Sequence, residues 1–406
     1  MLNYLRNNET LIILSLNSMF MMMGAGLIGP ILPLFAREFG LNITMIGVVI
    51  AMFAAARTIM DIPAGRISDI FGRRSSLIAG PLVLAAGSIG CGLATNAWQL
   101  VIFRILQGAG SGLFTIAGIV MLADISTVAN RGSNMSIFQG CLWAGVGLGP
   151  LLGGFIGQYI GLRAVFYAYA IIALLSALWT FIRLPETKSS CTSVHSALKE
   201  QSEHNSSLLK HVKNLLLNLN FVLICIVSLS LFMLNSGCRN QILPLIANER
   251  LGLSASEIGI ALSVLMGTNV LFIFISGKIS DMIGRKPLIT PGLILVAAGT
   301  LLITFSQSYW LLILSCVLMG SGIGFAGSIS GAYVADMLTN ENQSMGLSIF
   351  RALSDVGLMI GPILLGWLSD IEGYEFSLYI SAVILVTVAL VFQIFAKEHL
   401  TFTRKA

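Results

Sequence analysis

The feature that most constrains this chain is a series of apolar runs, each long enough to cross a lipid bilayer. A transmembrane helix needs about 20 consecutive, mostly apolar residues. Twelve runs of this kind follow one another along the 406 residues. They lie at 10–35, 44–64, 75–94, 98–123, 134–159, 162–184, 219–247, 255–276, 288–308, 310–336, 345–370 and 373–396. The sequence therefore predicts an all-α polytopic membrane protein with twelve transmembrane helices.

The composition excludes a soluble enzyme as the class of this protein. Hydrophobic residues make up 56% of the chain and charged residues 10%, whereas soluble domains carry about 25% charged residues. The chain contains no nucleophile–base set and no nucleotide-binding loop, so no catalytic residues are predicted. Its six cysteines are scattered and form no CxxC pair, so neither a disulfide scaffold nor a metal site is expected.

The basic residues indicate how the chain is oriented in the membrane. With the N-terminus in the cytoplasm, sixteen of the 23 lysines and arginines fall in inner segments, three in outer loops and four within spans. This excess follows the positive-inside rule. It predicts a multi-pass protein of the cell membrane with both termini in the cytoplasm. It also accounts for the net charge of +5 without a nucleic-acid partner.

An internal repeat divides the chain into two halves. The shift of the sequence that places Gly47 on Gly259, here called the repeat shift, also places other glycines of the first half on glycines of the second, and Asp124 on Asp336. Six spans separate matched positions, so the halves have the same orientation in the membrane and are parallel repeats.

The repeat predicts the organisation of the chain into domains. We expect a six-helix bundle at 1–184, a cytoplasmic linker at 185–218 and a second six-helix bundle at 219–406. In such repeats the substrate site is expected between the halves, near the bilayer midplane.

A loop with glycines, an aspartate and basic residues joins the second and third spans, and it recurs in the second half. It reads G-R-I-S-D-I-F-G-R-R at 65–74 and G-K-I-S-D-M-I-G-R-K at 277–286. Both copies resemble the inner-loop signature of the major facilitator superfamily, and the resemblance covers nearly the whole chain. Ile70 and Met282 depart from that signature, which has a basic residue at this position.

The resemblance implies that these loops form an inner gate. In that family the aspartate lies near the N-terminus of a helix in the other half, where the helix dipole favours an anion. Asp69, with Arg73 and Asp124, is then expected to stabilise the outward-open state. The alternative is a static turn that only marks topology. The expected gate residues are Gly65, Asp69, Gly72, Arg73, Arg74, Asp124, Gly277, Asp281, Arg285 and Asp336.

Arg104 and Gln107 in the fourth span resemble another signature of the superfamily, R-x-x-q-G. A charge within a span costs about 2.5–3.5 kcal/mol on translocon scales, so such residues are functional candidates. The repeat shift places Arg104 on Cys316, which means that the repeated fold does not require the charge. We predict a role in coupling, and the alternative is an arginine that snorkels to the outer surface.

The fifth span contains a glycine–proline pattern that resembles an antiporter signature of the superfamily. Proline removes a backbone hydrogen bond, and glycines allow helices to approach closely. The pattern favours a hinge, and it favours export over uptake. The alternative is ordinary packing of small residues, which would explain the glycines but not the glycine–proline pair. The expected hinge residues are Gly145, Gly149, Pro150 and Gly154, with Gly361 and Pro362 in the second half.

Two charge pairs and a polar patch complete the predicted coupling and substrate cavity. They are Arg57 with Asp61, Arg351 with Asp355, and Arg239 with Asn240. The two pairs have i,i+4 spacing, which places both charges on one helix face where they can neutralise each other. Asp355 lies about ten residues, or about 15 Å, into its span. It is the candidate proton carrier, and the alternative is a purely structural ion pair.

The resemblance to the twelve-span drug:proton antiporters implies a proton-coupled exporter of a small organic molecule that works by alternating access. The proton is the coupling ion, no cofactor is expected, and the protein is expected to be monomeric in the bilayer. Many such exporters carry an acid in span one, whereas residues 10–35 contain none. Four arginines against two aspartates in the predicted cavity favour neutral or anionic substrates, such as a carboxylated metabolite or siderophore.

Two other functions stay open on the same sequence. One is a proton-coupled uptake symporter for a small organic anion or a sugar, which the pattern in span five disfavours. The other is a membrane receptor or lipid-handling protein without transport activity, which the two retained gate loops disfavour.

Overall fold

The structure is a computed structural model that describes residues 9–127, 130–187, 215, 217–338 and 343–398. Within this part of the chain every regular element is a helix. Helices α1 to α6 span Glu9–Glu38, Ile43–Phe71, Arg73–Leu93, Ala97–Asp124, Arg131–Tyr159 and Leu162–Arg183. Helices α7 to α10 span Leu219–Glu249, Ala255–Ile283, Lys286–Thr304 and Tyr309–Met337.

The last helical stretch, Gln343–Phe395, contains two spans. At a rise of 1.5 Å per residue its length is about 80 Å, more than twice the ~30 Å of a hydrocarbon core. Gly373, with φ 86° and ψ 171°, divides it, and we name residues 343–372 α11 and residues 374–395 α12. The described residues thus contain eleven helices long and apolar enough to cross a membrane, of which the last is double. The predicted all-α membrane fold is confirmed, and the predicted count of twelve is supported.

Short turns separate neighbouring helices at equivalent places in the two halves. Gly72 alone separates α2 from α3, and Gly284 lies between α8 and α9. Their φ angles are 100° and 104°, a backbone conformation that glycine adopts without a steric penalty. Asn96 and Ser308, which the repeat shift also places on each other, precede α4 and α10. Each side chain accepts a hydrogen bond from a backbone N–H three residues on.

Contacts between Cα atoms divide the chain into two compact units. The first comprises Met1–Ser193 with Ala247–Ser263, and the second Val194–Ile246 with Val264–Ala406. In the first unit α1 packs along α5, and α4 packs against α2 and α3. In the second unit α9 packs against α10, and α7 against α11. The predicted linker at 185–218 lies mostly outside the described residues, so the predicted domain boundaries stay predictions.

Equivalent pairs of glycines bring helices into close contact in each unit. A Cβ on Gly110 would lie 2.6 Å from the carbonyl oxygen of Gly80, and one on Gly322 would lie 2.5 Å from that of Gly292. The two pairs are related by the repeat shift. The repeat in the sequence therefore corresponds to the same close contact in each unit, α3 on α4 and α9 on α10. A larger residue at these positions would push the backbones apart.

Candidate functional site

Arg73 is the centre of the predicted gate in the first unit. It begins α3, is 3% exposed, and forms an ion pair with Asp69 at the end of α2. Its Nε atom lies 3.2 Å from Oδ2 of Asp124 at the end of α4. The structure thus brings together the three residues that were expected to act jointly. Whether they control an inner gate stays a prediction.

The second unit repeats part of this arrangement. Nε of Arg285 lies 3.0 Å from Oδ2 of Asp336, as in the equivalent pair of the first unit. The side chain of Asp281 lies outside the described residues. Gly65 and Gly277 lie inside α2 and α8, with open space where a side chain would stand. The turns themselves are therefore made by Gly72 and Gly284.

Two glutamates that the sequence analysis missed stabilise the starts of α3 and α9. Glu186 accepts hydrogen bonds from the backbone N–H of Arg73 at 2.9 Å and of Arg74 at 3.2 Å. Glu398 accepts one from the backbone N–H of Lys286 at 2.9 Å. A carboxylate at a helix N-terminus satisfies free donors and is favoured by the helix dipole. The repeat could have identified them, because the repeat shift places Glu186 on Glu398 and each glutamate follows the sixth helix of its half.

The second basic residue of each loop anchors it to the end of the same half. The guanidinium of Arg74 donates to the carbonyl oxygen of Phe181 and lies 5.4 Å from the centre of its ring. Nζ of Lys286 donates to the carbonyl oxygen of Ala396 at 2.8 Å. These contacts tie the start of the third helix to the end of the sixth in both halves.

Arg104 is buried inside the first unit, with 6% of its surface exposed. Its Nη1 donates to Oε1 of Gln107 at 3.0 Å, and its guanidinium lies 4.4 Å from the centre of the Phe53 ring. Gln107, which is fully buried, donates in turn to the hydroxyl of Ser88 at 2.7 Å. The side chain therefore points into the helix bundle, which argues against an arginine that snorkels outward. None of the described ion pairs gives Arg104 a carboxylate partner.

The two predicted i,i+4 pairs lie on α2 and α11. A Cβ on Gly112 of α4 would lie 3.2 Å from Oδ1 of Asp61, so this carboxylate faces the fourth helix. On α11, Asp355 is partly buried and Arg351 is exposed. The adjacent Ser354 shares a 2.6 Å hydrogen bond with Ser228, which ties this part of α11 to α7. The coupling roles of the four charged residues stay predictions.

Arg239 lies in a π-helical segment of α7, Asn235–Ile242, that the sequence did not reveal. Its Nε donates to Oδ1 of Asn240 at 2.9 Å, and its Nη1 to the sulfur of Met266 at 3.4 Å. Segments of π-helix are rare and occur frequently at functional sites. The structure joins Arg239 to Asn240 within this segment, and the predicted role of the polar patch in a substrate cavity stays a prediction.

The predicted hinge residues of α5 make unusually close backbone contacts. A Cβ on Gly145 would clash with the carbonyl oxygen of Met19, and one on Gly149 would lie 2.5 Å from Cα of Gly26, both in α1. At the far end of the pattern, a Cβ on Gly154 would lie 2.5 Å from the carbonyl oxygen of Ala255. The glycines are needed for close packing, and their function as a hinge stays a prediction.

The equivalent residues of α11 also lie against a neighbouring helix. A Cβ on Gly361 would clash with the carbonyl oxygen of Met233 in α7, and one on Gly357 would lie 2.5 Å from that of Leu229. Pro150 and Pro362 are both buried, inside α5 and α11. The fifth helix of each half thus packs through glycines on the first helix of the same half.

Known proteins resemble the chain over nearly its whole length. The family model described as Major Facilitator Superfamily matches residues 14–238 and 225–402. Multidrug resistance protein 1 of Bacillus subtilis is 26% identical over 97% of this chain and 98% of its own. Quinolone resistance protein NorA of Staphylococcus aureus is 22% identical over 90% of this chain and 91% of its own. The crystal structure of a D-xylose-proton symporter is 19% identical in sequence and matches 96% of this chain and 98% of its own. Its TM-score of 0.75 shows that the fold is shared.

Proposed function

Since the chain belongs to the major facilitator superfamily, we propose that it is a proton-coupled exporter of a small organic molecule. As a member of this family it is a multi-pass membrane transporter of small molecules and not an enzyme. In the proposed cycle the substrate binds within the membrane, and alternating access exposes its site first to the cytoplasm and then to the outside.

The observation that carries the proposal is the burial of Arg104 without a carboxylate partner in the described ion pairs. An isolated buried charge is costly, so an anionic group is needed to offset it during at least part of the cycle. The substrate or a carboxylate of the protein can supply that group. Because Cys316 occupies the equivalent position of the other half, this cost belongs to function and not to the repeated fold.

In its simplest form, the exchange of substrate for protons requires that the two compete for one group. We assign this competition to Asp355, whose carboxylate accepts either a proton or a hydrogen bond from the substrate. Substrate binding then displaces the proton, which is antiport. Proton entry contributes about 2.3 kcal/mol per charge per 100 mV of membrane potential.

The direction of transport is supported by two features. The glycine–proline pattern of α5 resembles the antiporter signature and packs tightly on α1. The names of two similar proteins refer to multidrug resistance and quinolone resistance, which fits the export of drug-like molecules. We place the gate loops and both termini on the cytoplasmic side, as the basic residues predict.

Uptake by symport is the second candidate, and the pair Arg351–Asp355 gives it a chemical basis. If protonation of Asp355 released Arg351 to bind an anion, the proton and the anion would bind together, which is symport. The shared fold with a D-xylose-proton symporter is compatible with either direction, since fold alone does not decide function.

Transport into inside-out membrane vesicles tests the proposal. Vesicles containing the protein are energised by respiration and offered cationic, neutral and anionic dyes. We expect accumulation of at least one dye that a protonophore abolishes and that Arg104→Gln reduces by at least about tenfold, on the order of 1.4 kcal/mol. Arg131→Gln, which removes an exposed charge at the start of α5, is the matched control. Accumulation only in right-side-out vesicles would instead establish uptake.

A further inference from the structure

The π-helical segment of α7 gathers three polar residues on one face. In an α-helix, residues five apart lie about 140° from each other around the axis. Here the backbone N–H of Leu243 bonds to the carbonyl of Cys238, five residues earlier, which widens the turn. Residues four and five positions after a given residue then lie on the same face as that residue. Arg239 and Asn240 stand in this relation to Asn235.

The burial pattern of the segment agrees with this geometry. Asn235, Arg239 and Asn240 are partly exposed, and the other five residues of the segment are buried. On the buried side, a Cβ on Gly237 would lie 2.9 Å from the carbonyl oxygen of Gly361 in α11. The polar face is therefore the open face of α7. A charge inside a span faces protein or a water-filled cavity, since exposure to lipid is costly.

Arg239 has unused capacity to bind an anion. A guanidinium has five N–H donors, and the described contacts engage two of its nitrogens. One of the two acceptors is the thioether of Met266, which is a weak one. Neither acceptor is charged, and none of the described ion pairs includes Arg239.

Asn235, one π turn before Arg239, has an unused acceptor. Its Oδ1 atom is buried and has no hydrogen-bond partner in the described structure. A buried acceptor without a donor is costly, so a ligand that supplies an O–H or N–H group would be stabilised there.

The equivalent helix of the first half shows that this polar face is not required by the fold. The repeat shift places Asn235, Arg239 and Asn240 on Met23, Leu27 and Ile28 of α1. Those three residues are apolar, and α1 has no π-helical segment. On this face the two helices differ by a charge, two amides and a local change of helix type.

We propose that this face of α7 recognises the carboxylate of an organic acid, with Arg239 as its direct partner and Asn235 accepting from a neighbouring hydroxyl or amide N–H of the same molecule. The inference rests on the proposed transport function and names the substrate class. A planar guanidinium matches a carboxylate in bidentate geometry, which a lysine does not reproduce.

Binding to the full-length protein in detergent tests this without any need for a proton gradient. The probes are 3-hydroxy-2-naphthoate, its methyl ester, which lacks the charge, and 2-naphthoate, which lacks the hydroxyl. Mandelate, methyl mandelate and phenylacetate form a second set on another scaffold. Ligand-induced thermal stabilisation, measured against ligand concentration, gives each affinity. We expect the wild type to bind at least one hydroxy acid more tightly than both its ester and its analogue without the hydroxyl.

Three variants separate recognition from structural support. Arg239→Gln should weaken binding of the acid by roughly 10- to 100-fold and leave the ester unchanged, as expected for the loss of charged hydrogen bonds. Arg239→Lys should bind the acid with an affinity between those of the wild type and Arg239→Gln. Asn240→Asp, which places a carboxylate on the Nε that Asn240 already contacts, should also remove the preference for the acid while Arg239 stays in place. Arg250→Gln, which removes an exposed arginine just beyond α7, is the control.

The outcomes are decisive. If the wild type prefers no acid over its ester in either set, or if Arg239→Gln and Asn240→Asp keep the preference, the proposal is wrong. Suppose that Arg239→Gln weakens binding of the acid and of the ester equally and lowers the melting temperature of the ligand-free protein. Arg239 would then only support the helix, and the proposal would also be wrong. A clear preference for acids together with absent export would retain this inference and refute the proposed exporter instead.

Discussion

At the scale of single residues, the first arginine of each inner loop is held in a defined position. Arg73 is almost fully buried, bonds to Asp69 and Asp124 through its side chain, and has its backbone N–H satisfied by Glu186. Arg285 has the equivalent ion pair with Asp336. A mere marker of topology would need only a positive charge near the membrane surface. The observed set of partners is more specific than that.

The charge of Asp69 is expected to stabilise the outward-open state. Asp69→Asn keeps the shape of the side chain and removes its ion pair with Arg73. It also removes the charge–dipole contact that the family resemblance implies, a loss of about 0.3–2 kcal/mol. Crosslinking yields between the inner ends of the helices should shift toward the inward-open state. Glu38→Gln, which removes an exposed acid at the C-terminal end of α1, should leave the crosslinking yields unchanged. If Asp69→Asn changes neither the yields nor transport, the loop is only a topological signal.

Glu186 and Glu398 are expected to stabilise the starts of α3 and α9. Replacing either with glutamine retains an acceptor but removes its charge at a helix N-terminus, a loss of about 0.5–1 kcal/mol. Each variant should therefore have a lower melting temperature in detergent than wild type, and Glu38→Gln again serves as the control. Two melting temperatures equal to that of wild type would show that these carboxylates are dispensable caps.

At the scale of helices, glycine determines which pairs can touch. The glycine face of α5 lies against α1, and that of α11 lies against α7. Such contacts hold helices together in lipid through close van der Waals packing, because the bilayer offers no hydrophobic force between them. A substitution that leaves insertion intact but fills this contact should therefore act on movement more than on biogenesis.

Gly149→Leu tests the fifth helix in this way. Leucine favours insertion into the bilayer, but its side chain would stand where Cα of Gly26 lies, 2.5 Å from the new Cβ. We expect normal membrane levels, retained substrate binding and loss of export. Gly140→Leu is the matched control on the same helix, because a Cβ there meets nothing within 4 Å. Full export by Gly149→Leu would show that α5 is not a hinge.

Helix positions were predictable from the sequence, and helix ends were less so. The second span was predicted at 44–64, whereas α2 continues to Phe71. Hydropathy locates the lipid-embedded part of a helix, but the helix itself ends where glycine adopts a positive φ, at Gly72. The π-helical segment of α7 could not be predicted, since it depends on hydrogen-bond register and not on hydrophobic period. Arg104 and Arg239 were identified because charges are conspicuous within spans.

At the scale of the whole molecule, the repeat describes the scaffold and departures from it indicate function. Close glycine contacts, gate ion pairs and glutamate caps all recur at positions related by the repeat shift. Arg104 and Arg239 do not, because Cys316 and Leu27 occupy the equivalent positions. Arg104 and Arg239 thus lie inside spans, one in each half, at positions where the repeated fold does not require a charge. Together they favour a substrate with negative charge, whose exit from a cell with a negative interior is also electrically favourable.

Proton-coupled export can be tested by measuring the protons that move when substrate binds. The full-length protein in liposomes, weakly buffered and containing a pH-sensitive dye, receives the compound that vesicles accumulate best. We expect substrate to displace protons from the wild type, and Asp355→Asn to abolish this release while energy-independent counterflow persists. Proton uptake on substrate binding by the wild type would contradict antiport, and normal release in Asp355→Asn would exclude Asp355 as the carrier.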